Sequence, residues 1–267
     1  MTDGPGNDNR IPRGSARLVV LGDSLAGFTE AGVFRPGDPG NYPEQLGRRL
    51  AAATSRDWTV DLLAQTWMSV WVASTEVAER SDVRSRLRDA DVVVVGLSTG
   101  DVLPVFPPTR RLLRGASTMG HRPPLRRVRP HWVRPLLWGT FAKFHHVMVD
   151  ATHSRYPHTP RAEFGPAWRR LVNEIRRAAP QAVLVAMTPT VGRQGTLEWP
   201  SPHREAAVAD ILELAAEMGV PVVELAEVVA PFLDSLPDGT HWHGPAHAAV
   251  ADALAEVVVI RMLERNR

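Results

Sequence analysis

The stretch Leu18-Val19-Val20-Leu21-Gly22-Asp23-Ser24-Leu25 joins four consecutive apolar residues to a turn that carries a hydroxyl group. A short apolar run followed by glycine and aspartate is typical of a buried parallel strand that ends in a tight turn. Ligands of parallel sheets bind beyond the carboxyl ends of the strands. The stretch therefore predicts a strand whose end presents Ser24 at an edge of the sheet that a ligand can reach.

Four further apolar runs follow, and segments with the period of amphipathic helices separate them. The predicted strands are Leu18–Leu21, Val60–Leu63, Val92–Leu97, Ala182–Met187 and Val220–Leu225. The predicted helices are Pro43–Ala53, Thr75–Arg88, Ala162–Ala178, His203–Met218 and Pro245–Leu263. This repeated order of strand and helix predicts an α/β fold, a three-layer α/β/α sandwich around a five-stranded parallel sheet.

The chain has the length and composition of one folded domain, with 267 residues of which 44% are hydrophobic. Residues 1–15 are polar and rich in glycine, asparagine and proline, so we predict a disordered tail followed by a single domain over residues 16–267. The absence of cysteine excludes disulfides, thiolate metal sites and cysteine nucleophiles. There is no secretory signal and no apolar run near the ~20 residues that cross a bilayer, which favours a soluble cytoplasmic protein without a membrane span.

Residues 102–160 interrupt the alternation with a long segment rich in proline, arginine and aromatic residues. A structureless loop of this length is rare in a compact domain, so we predict a cap inserted after the third strand, with a helix over Val133–Val149. Between Val102 and Val149 stand eight arginines and Lys143 and no acidic residue, a formal charge of +9 in a chain whose net charge is +2. Such a field concentrates anionic ligands, but it is equally typical of a solvated basic face.

A second polar turn, Pro237-Asp238-Gly239-Thr240-His241-Trp242, precedes the last predicted helix. A serine nucleophile needs a base, and the base needs an acid that orients it. An aspartate three residues before a histidine can place its carboxylate against the imidazole Nδ1–H and leave Nε2 facing the serine. The same residues are also typical of a helix start, because Asp238 and Thr240 are suitable capping residues.

A third turn, Gly96-Leu97-Ser98-Thr99-Gly100-Asp101, ends the third predicted strand at the same edge. The three turns, in this order, resemble the SGNH/GDSL hydrolase superfamily over nearly the whole chain. The resemblance implies a flavodoxin-like fold and acyl-ester chemistry through an acyl-enzyme. It implies that Ser24 attacks the acyl carbonyl, that His241 takes its proton and later returns one, and that Asp238 holds the imidazole. It also implies that the backbone N–H of Ser24 donates to the oxyanion.

Two segments depart from the superfamily's usual pattern, which has a glycine N–H after the second strand and an asparagine side chain in a Gly-x-Asn-Asp block. This chain has Ala64-Gln65-Thr66-Trp67 in the first place and Gly100 where the amide side chain belongs. Losing one oxyanion donor typically costs ~10²–10³ in rate, so the site needs a substitute. We predict Ser24, Thr66 and Gly100 as the positions around the oxyanion, with Thr66 donating its backbone N–H.

A narrower likeness rests on five segments. They are Gly22–Ala26, Asp101–Pro104, Arg129–Arg134, Asp238–Trp242 and Ala246–Ala251. They resemble the actinobacterial diglucosylglycerate octanoyltransferase branch of the superfamily, which implies transfer of a medium-chain acyl group from acyl-CoA to a sugar hydroxyl. Arginine binds phosphate and carboxylate bidentately, and tryptophan can stack on sugars. We accordingly predict four substrate-binding residues, Asp101, Arg129, Arg134 and Trp67.

The predicted partners are a small-molecule acyl donor, either an ester or an acyl-CoA, and a sugar or glycoside acceptor, and the choice between hydrolysis and transfer stays open. Two other hypotheses are an inactive SGNH-like protein that binds carbohydrate or lipid, and a basic interaction module. Nucleic-acid binding is not predicted, because no recognised binding motif accompanies the charge, and no dinucleotide or P-loop pattern occurs. The histidines His241, His243 and His247 match no established ligand spacing, so neither a metal nor a cofactor is predicted.

Overall fold

The computed structural model describes residues 15–28, 35, 37–66, 68–97, 99–105, 107–109, 144, 147–149, 151, 156–193, 202–265 and 267. At its centre lies a parallel sheet of five strands in the order β2-β1-β3-β4-β5, which confirms the predicted α/β class. The strands are β1 (Ser15–Gly22), β2 (Asp57–Ala64), β3 (Val92–Gly96), β4 (Val183–Met187) and β5 (Val222–Val223). Ser15, predicted as part of the tail, is the first residue of β1, and residues 1–14 lie outside the described ranges.

Helices connect the strands and cover both faces of the sheet. Within the described ranges the α-helices are α1 (Ser24–Gly27), α2 (Tyr42–Thr54), α3 (Val70–Glu79), α4 (Ser81–Leu87), α5 (Thr99–Val102), α6 (Arg161–Ala178), α7 (Pro202–Glu217), α8 (Leu225–Val229) and α9 (Gly244–Arg265). Two short 3-10 helices span Pro107–Thr109 and Ala230–Ser235. The three shortest α-helices, α1, α5 and α8, were not predicted, because a helix of four or five residues shows no period in the sequence.

The predicted helix Thr75–Arg88 is two helices in the structure. Its first part begins earlier, at Val70, where the Ser69 hydroxyl accepts a hydrogen bond from the Val72 N–H at 3.3 Å and caps α3. Arg80, with φ −101° and ψ 115°, is extended and separates α3 from α4. The apolar period continues through the break because both helices bury their apolar residues in the same core.

Two apolar cores fill the spaces between the sheet and its helices. One lies under α3, α4, α6 and α7 and receives alternate strand residues such as Val19 and Val93. The other lies under α1, α2, α8 and α9 and receives the intervening residues such as Val20 and Val94. This alternation is the period of two that places successive strand side chains on opposite faces.

The chain changes direction across the sheet between β1 and β3. From β1 it passes to β2 at one edge, and from β3 it proceeds to β4 and β5 at the other. Gly22 and Gly96 are paired at the carboxyl ends of these central strands. A Cβ at Gly96 would lie 2.6 Å from Tyr42 Oη and 2.7 Å from Met187 Cε, and a Cβ at Gly22 would collide with Ala26. The two glycines thus allow helices to approach the switch point, where ligands of such sheets bind.

The two ends of the segment predicted as a cap lie side by side. The Val105 N–H donates to the Tyr156 carbonyl at 2.9 Å, and the His158 N–H donates to the Leu103 carbonyl at 2.9 Å. Most of the predicted cap, including most of the helix predicted over Val133–Val149, lies outside the described residues, of which Phe144 and 147–149 are helical. Among the described helices, none combines the length and apolarity needed to cross a membrane.

Candidate active site

Ser24 is the first residue of the short helix α1, immediately beyond β1. Asp23 caps this helix, because its Oδ1 accepts a hydrogen bond from the Leu25 N–H at 2.9 Å. Ser24 is half-buried and its N–H lies in the first turn, where no intrahelical acceptor is available. The position therefore combines a half-buried serine with a backbone donor of the first helical turn.

Asp238 and His241 are brought together by a turn at the same end of the sheet. Asp238 Oδ1 accepts hydrogen bonds from the N–H groups of Thr240 at 3.0 Å and His241 at 2.7 Å. The other carboxylate oxygen, Oδ2, lies 2.6 Å from His241 Nδ1. Gly239 has φ +75°, a left-handed conformation that favours glycine and lets the chain turn back within three residues.

The charge state of Asp238 follows from these contacts. Desolvation acts to raise its pKa, but the hydrogen bonds from the backbone and ring of His241 and from the Thr240 N–H hold the pKa below its usual value. An ionised carboxylate at Nδ1 requires that this nitrogen carry a proton, so the neutral imidazole has its free electron pair on Nε2. This is the tautomer that a general base for serine requires.

The turn that contains Asp238 and His241 is hydrogen-bonded to the loop after β4. The Arg193 N–H donates to the Gly239 carbonyl at 2.7 Å. The fully buried Trp242 donates from Nε1 to Thr190 Oγ1 at 3.1 Å, and the Thr190 N–H donates to Thr99 Oγ1 at 3.1 Å. Because Thr99 begins α5 after β3, these bonds tie the C-terminal turn to the ends of two central strands.

Phe28 contacts both α1 and the His241 side chain. Its N–H donates to the Ser24 carbonyl at 2.9 Å and ends α1. Its ring stacks on the His241 imidazole with a centroid distance of 4.4 Å and an interplanar angle of 24°. His241 Nε2 is buried and makes no hydrogen bond within the described part of the chain, so the bond to Ser24 Oγ is not formed in this conformation. Sequence reasoning missed Phe28, because nothing in its local pattern marks it as a partner of a residue more than 200 positions away.

The predicted oxyanion positions lie around the switch point. Thr66 follows β2 and is half-buried, and the preceding Gln65 N–H donates to the Gly22 carbonyl at 3.3 Å. Gly100 is buried in α5, and its N–H donates to the Leu97 carbonyl at 3.2 Å and also acts on the Asp23 carboxyl. The N–H of Gly100 is thus already engaged within its own turn.

Asp101, predicted as a substrate-binding residue, is buried beneath the surface of the site. Both of its carboxylate oxygens accept from the Val70 N–H, at 2.9 and 3.2 Å, at the start of α3. A carboxylate at a helix N-terminus is favoured by the helix dipole, so these contacts stabilise the start of α3, and substrate binding by Asp101 stays a prediction. The other predicted substrate-binding residues, Trp67, Arg129 and Arg134, lie outside the described residues.

Two buried polar side chains, Asp23 and Tyr42, lie close to the switch point. Burial raises the pKa of Asp23 to about 8, although the N–H groups of Leu25 and Gly100 act to lower it. Burial, together with the charge of Asp23, also raises the pKa of Tyr42. Asp23 Oδ2 and Tyr42 Oη make no hydrogen bond to any described residue. With this raised pKa, Asp23 is mostly protonated at neutral pH, a property that the Gly-Asp-Ser pattern did not predict.

His247 is buried in α9 and contacts the start of α2, next to Tyr42. Its Nδ1 accepts a hydrogen bond from the Tyr42 N–H at 3.2 Å, and burial lowers the pKa of His247 to about 4. The imidazole is therefore neutral at physiological pH and links α9 to the start of α2. In the described ranges no cluster of histidine and acidic residues is arranged to hold a metal ion.

Comparisons with known proteins identify relatives over most of the chain. The model of the GDSL-like Lipase/Acylhydrolase family matches residues 20–249. Diglucosylglycerate octanoyltransferases of Mycobacterium tuberculosis and Mycolicibacterium hassiacum are each 29% identical over 254 residues, which is 91% of this chain and 93% and 96% of the respective relatives.

Solved structures with the same fold are more distant in sequence. A lipase/acylhydrolase from Enterococcus faecalis superposes with a TM-score of 0.58 at 15% identity, covering 92% of this chain and 96% of that one. Est24, a carbohydrate acetylesterase from Sinorhizobium meliloti, superposes with a TM-score of 0.57 at 13% identity, covering 92% and 99%. Because the family model matches well over half of the chain, the protein belongs to the GDSL-like lipase/acylhydrolase family and is an SGNH-type hydrolase or acyltransferase.

Proposed function

We propose that the enzyme works through an acyl-enzyme on Ser24, with His241 as general base and Asp238 as the residue that orients it. The observation that carries the proposal is the 2.6 Å contact between Asp238 Oδ2 and His241 Nδ1, next to the helix that Ser24 begins. This contact leaves Nε2 as the basic atom, and Nε2 is buried.

In the first step, Ser24 Oγ attacks the acyl carbonyl while its proton moves to His241 Nε2. The tetrahedral oxyanion that forms accepts hydrogen bonds from the Ser24 and Thr66 N–H groups. The imidazolium then protonates the leaving group as the carbonyl re-forms, and Ser24 keeps the acyl group as an ester. Since catalytic hydrogen bonds are often long before substrate binds, we expect the Ser24–His241 bond to shorten in the complex.

In the second step, His241 Nε2 takes a proton from the acceptor hydroxyl, whose oxygen attacks the carbonyl of the acyl-enzyme. As the bond between the acyl carbon and Ser24 Oγ breaks, the imidazolium returns this proton to Ser24 Oγ. Water as acceptor gives hydrolysis, and a sugar hydroxyl gives transfer. We favour a medium-chain acyl group moving from an acyl-CoA or ester to a sugar hydroxyl, because the diglucosylglycerate octanoyltransferases resemble this chain over 91% of its length. In this proposal Arg129, Arg134 and Trp67 contact the donor and acceptor.

The test supplies octanoyl-CoA with and without a glucosylglycerate and measures free octanoate and sugar ester separately. We expect ester to form only with acceptor present and free acid to form more slowly than ester. Ser24→Ala should abolish both products, while Ser85→Ala, which alters an exposed serine on α4, should leave both unchanged. Release of free acid at a rate that does not depend on acceptor rejects transfer, and activity in Ser24→Ala rejects the acyl-enzyme.

A further inference from the structure

The aromatic ring of Phe28 covers one face of the imidazole that the proposed mechanism uses as its base. The two rings are nearly parallel, at 24°, with their centroids 4.4 Å apart. Stacked rings at this separation attract each other beyond the area that they bury. The contact therefore favours one plane for the His241 ring.

The backbone of Phe28 is held to the nucleophile's own helix. Its N–H bonds the Ser24 carbonyl at 2.9 Å, and the neighbouring Gly27 carbonyl accepts from the Arg35 N–H at 2.7 Å. On the other side, the Phe28 carbonyl acts on the buried imidazole of His247. These contacts fix the position of Phe28 relative to Ser24. The plane of the His241 ring, which stacks on Phe28, is therefore fixed relative to the Ser24 hydroxyl as well.

Asp238 and Phe28 restrain different movements of the imidazole. The bond from Nδ1 to Asp238 Oδ2, at 2.6 Å, opposes rotation of the ring in the direction that would exchange its nitrogens. The stack on Phe28 opposes tilting of the ring out of its plane. With both restraints in place, Nε2 keeps one direction although it has no hydrogen bond within the described residues.

We infer that Phe28 is a positioning residue, which holds the His241 imidazole in the plane that directs Nε2 at Ser24 and whose ring stabilises the imidazolium formed during proton transfer. The inference rests on the proposed function of Ser24 and His241. An aromatic face attracts a cation, which a leucine side chain of similar volume does not.

A matched pair elsewhere in the chain supplies the control. Phe232 contacts His243 through ring edges, at 5.9 Å between centroids and 70° between planes, and is half-buried like Phe28. Phe232→Leu removes a phenylalanine–histidine contact outside the proposed catalytic residues. Its effect measures what the loss of such a contact costs in packing alone.

The experiment compares Phe28→Leu, Phe28→Tyr and Phe232→Leu with wild type, using the rate at which a fluorophosphonate labels Ser24 and the kcat and KM for an octanoyl ester. We expect Phe28→Leu to lower the labelling rate and kcat by roughly 10- to 100-fold with little change in KM, since small misplacements of reacting groups cost this much. Phe28→Tyr should restore both to near the wild-type values, and Phe232→Leu should leave both unchanged. Equal rates for wild type and Phe28→Leu, or no rescue by tyrosine, would overturn the inference.

An NMR titration of the His241 Cε1–H in the Ser24→Ala background gives a readout that needs no turnover. The other titratable groups near this imidazole, Asp238, His243 and His247, are unchanged in the Phe28 variants. We expect the titration midpoint to fall in Phe28→Leu and to be retained in Phe28→Tyr. Absence of Ser24 labelling in wild type would reject the proposed function alone, whereas identical midpoints in the three proteins would reject the role of Phe28.

Discussion

Two aspartates stand beside the two proposed reacting side chains, and their surroundings give them opposite charge states. Asp23 precedes Ser24 and is 2% exposed, with one carboxyl oxygen bonded to the Leu25 N–H and the other unbonded within the described structure. Asp238 stands three residues before His241, its side chain is 55% exposed, and its carboxylate receives two N–H groups and the imidazole. Burial raises the pKa of Asp23 to about 8, whereas hydrogen bonds overcome desolvation and lower the pKa of Asp238.

This difference shows that the balance between desolvation and donated hydrogen bonds, rather than residue type, decides which carboxyl is ionised. The ionised carboxylate stands beside the imidazole, where it stabilises the imidazolium of the proposed mechanism. The neutral one stands beside the hydroxyl, where a negative charge would oppose formation of the oxyanion. The same edge of the sheet thus holds one ionised acid that pairs with the imidazole and one buried, protonated acid that caps α1.

Asp238→Asn tests the ionised side of this comparison and should have the largest effect. The amide can present its NH₂ to Nδ1 and favour the wrong tautomer, so we expect kcat to fall roughly 10⁴-fold, the magnitude known for the equivalent change in a serine protease triad. Steady-state hydrolysis of an octanoyl ester measures it. Asp234→Asn, which changes a 97% exposed carboxylate on the preceding 3-10 helix, is the matched control. A loss under tenfold in Asp238→Asn would mean that the Asp238–His241 pair is not part of the mechanism.

Asp23→Asn tests whether the Asp23 carboxyl is protonated in the folded protein. The pKa of Asp23 is raised from 3.8 to about 8 on folding, so its contribution to stability is full below pH 3.8 and is lost as pH rises towards 8. Asparagine keeps the acceptor for the Leu25 N–H and cannot ionise. We expect the free energy of unfolding of Asp23→Asn relative to wild type to rise by roughly 5 kcal/mol between pH 4 and pH 8.

Urea unfolding at both pH values measures this change, with Asp89→Asn as a control at an exposed position. Parallel stability curves for wild type and Asp23→Asn would show that Asp23 is ionised in the folded protein. The two-acid comparison would then fail.

Gly96→Ala tests the packing that keeps the neutral acid buried and should have the smallest effect. The new Cβ would lie 2.6 Å from Tyr42 Oη and 2.7 Å from Met187 Cε, so one of these side chains must move. We expect a loss of about 1–2 kcal/mol in the free energy of unfolding, typical of overpacking. Gly165→Ala in α6, where the nearest atom is Arg169 Nη1 at 3.5 Å, should be neutral or stabilising. Equal effects in the two variants would contradict the close approach of Tyr42 to the sheet.

The strands and long helices were predictable because their apolar patterns depend on residues that are close together in the sequence. Each predicted strand overlaps a strand of the sheet, although β5 has only two of the six residues predicted over Val220–Leu225. The predicted long helices agree with the observed ones to within a few residues, apart from Thr75–Arg88. That helix breaks at an extended Arg80, which the apolar period does not register because both halves bury residues in one core. Short helices such as α1 and α5 escaped prediction because they form at the strand ends through capping and tertiary contacts.

The candidate site was predictable in part for the same reason. The Asp238–His241 contact is local, since the two residues are three apart, and its geometry follows from the turn. Asp101 caps α3 through Val70, 31 positions away, and Phe28 stacks on His241, 213 positions away. No local sequence pattern predicts either contact.

The sequence by itself determined the order of strands and helices, the placement of Ser24 and His241 at the ends of elements, and the local turn that pairs His241 with Asp238. The tertiary structure alone decided which aspartate is ionised, which side chain covers the His241 imidazole, and that Asp101 is engaged in capping a helix. The physical reason is that turns and hydrophobic periods depend on near neighbours along the chain. Desolvation, ring stacking and long-range hydrogen bonds depend on which distant segments the packed sheet brings into contact.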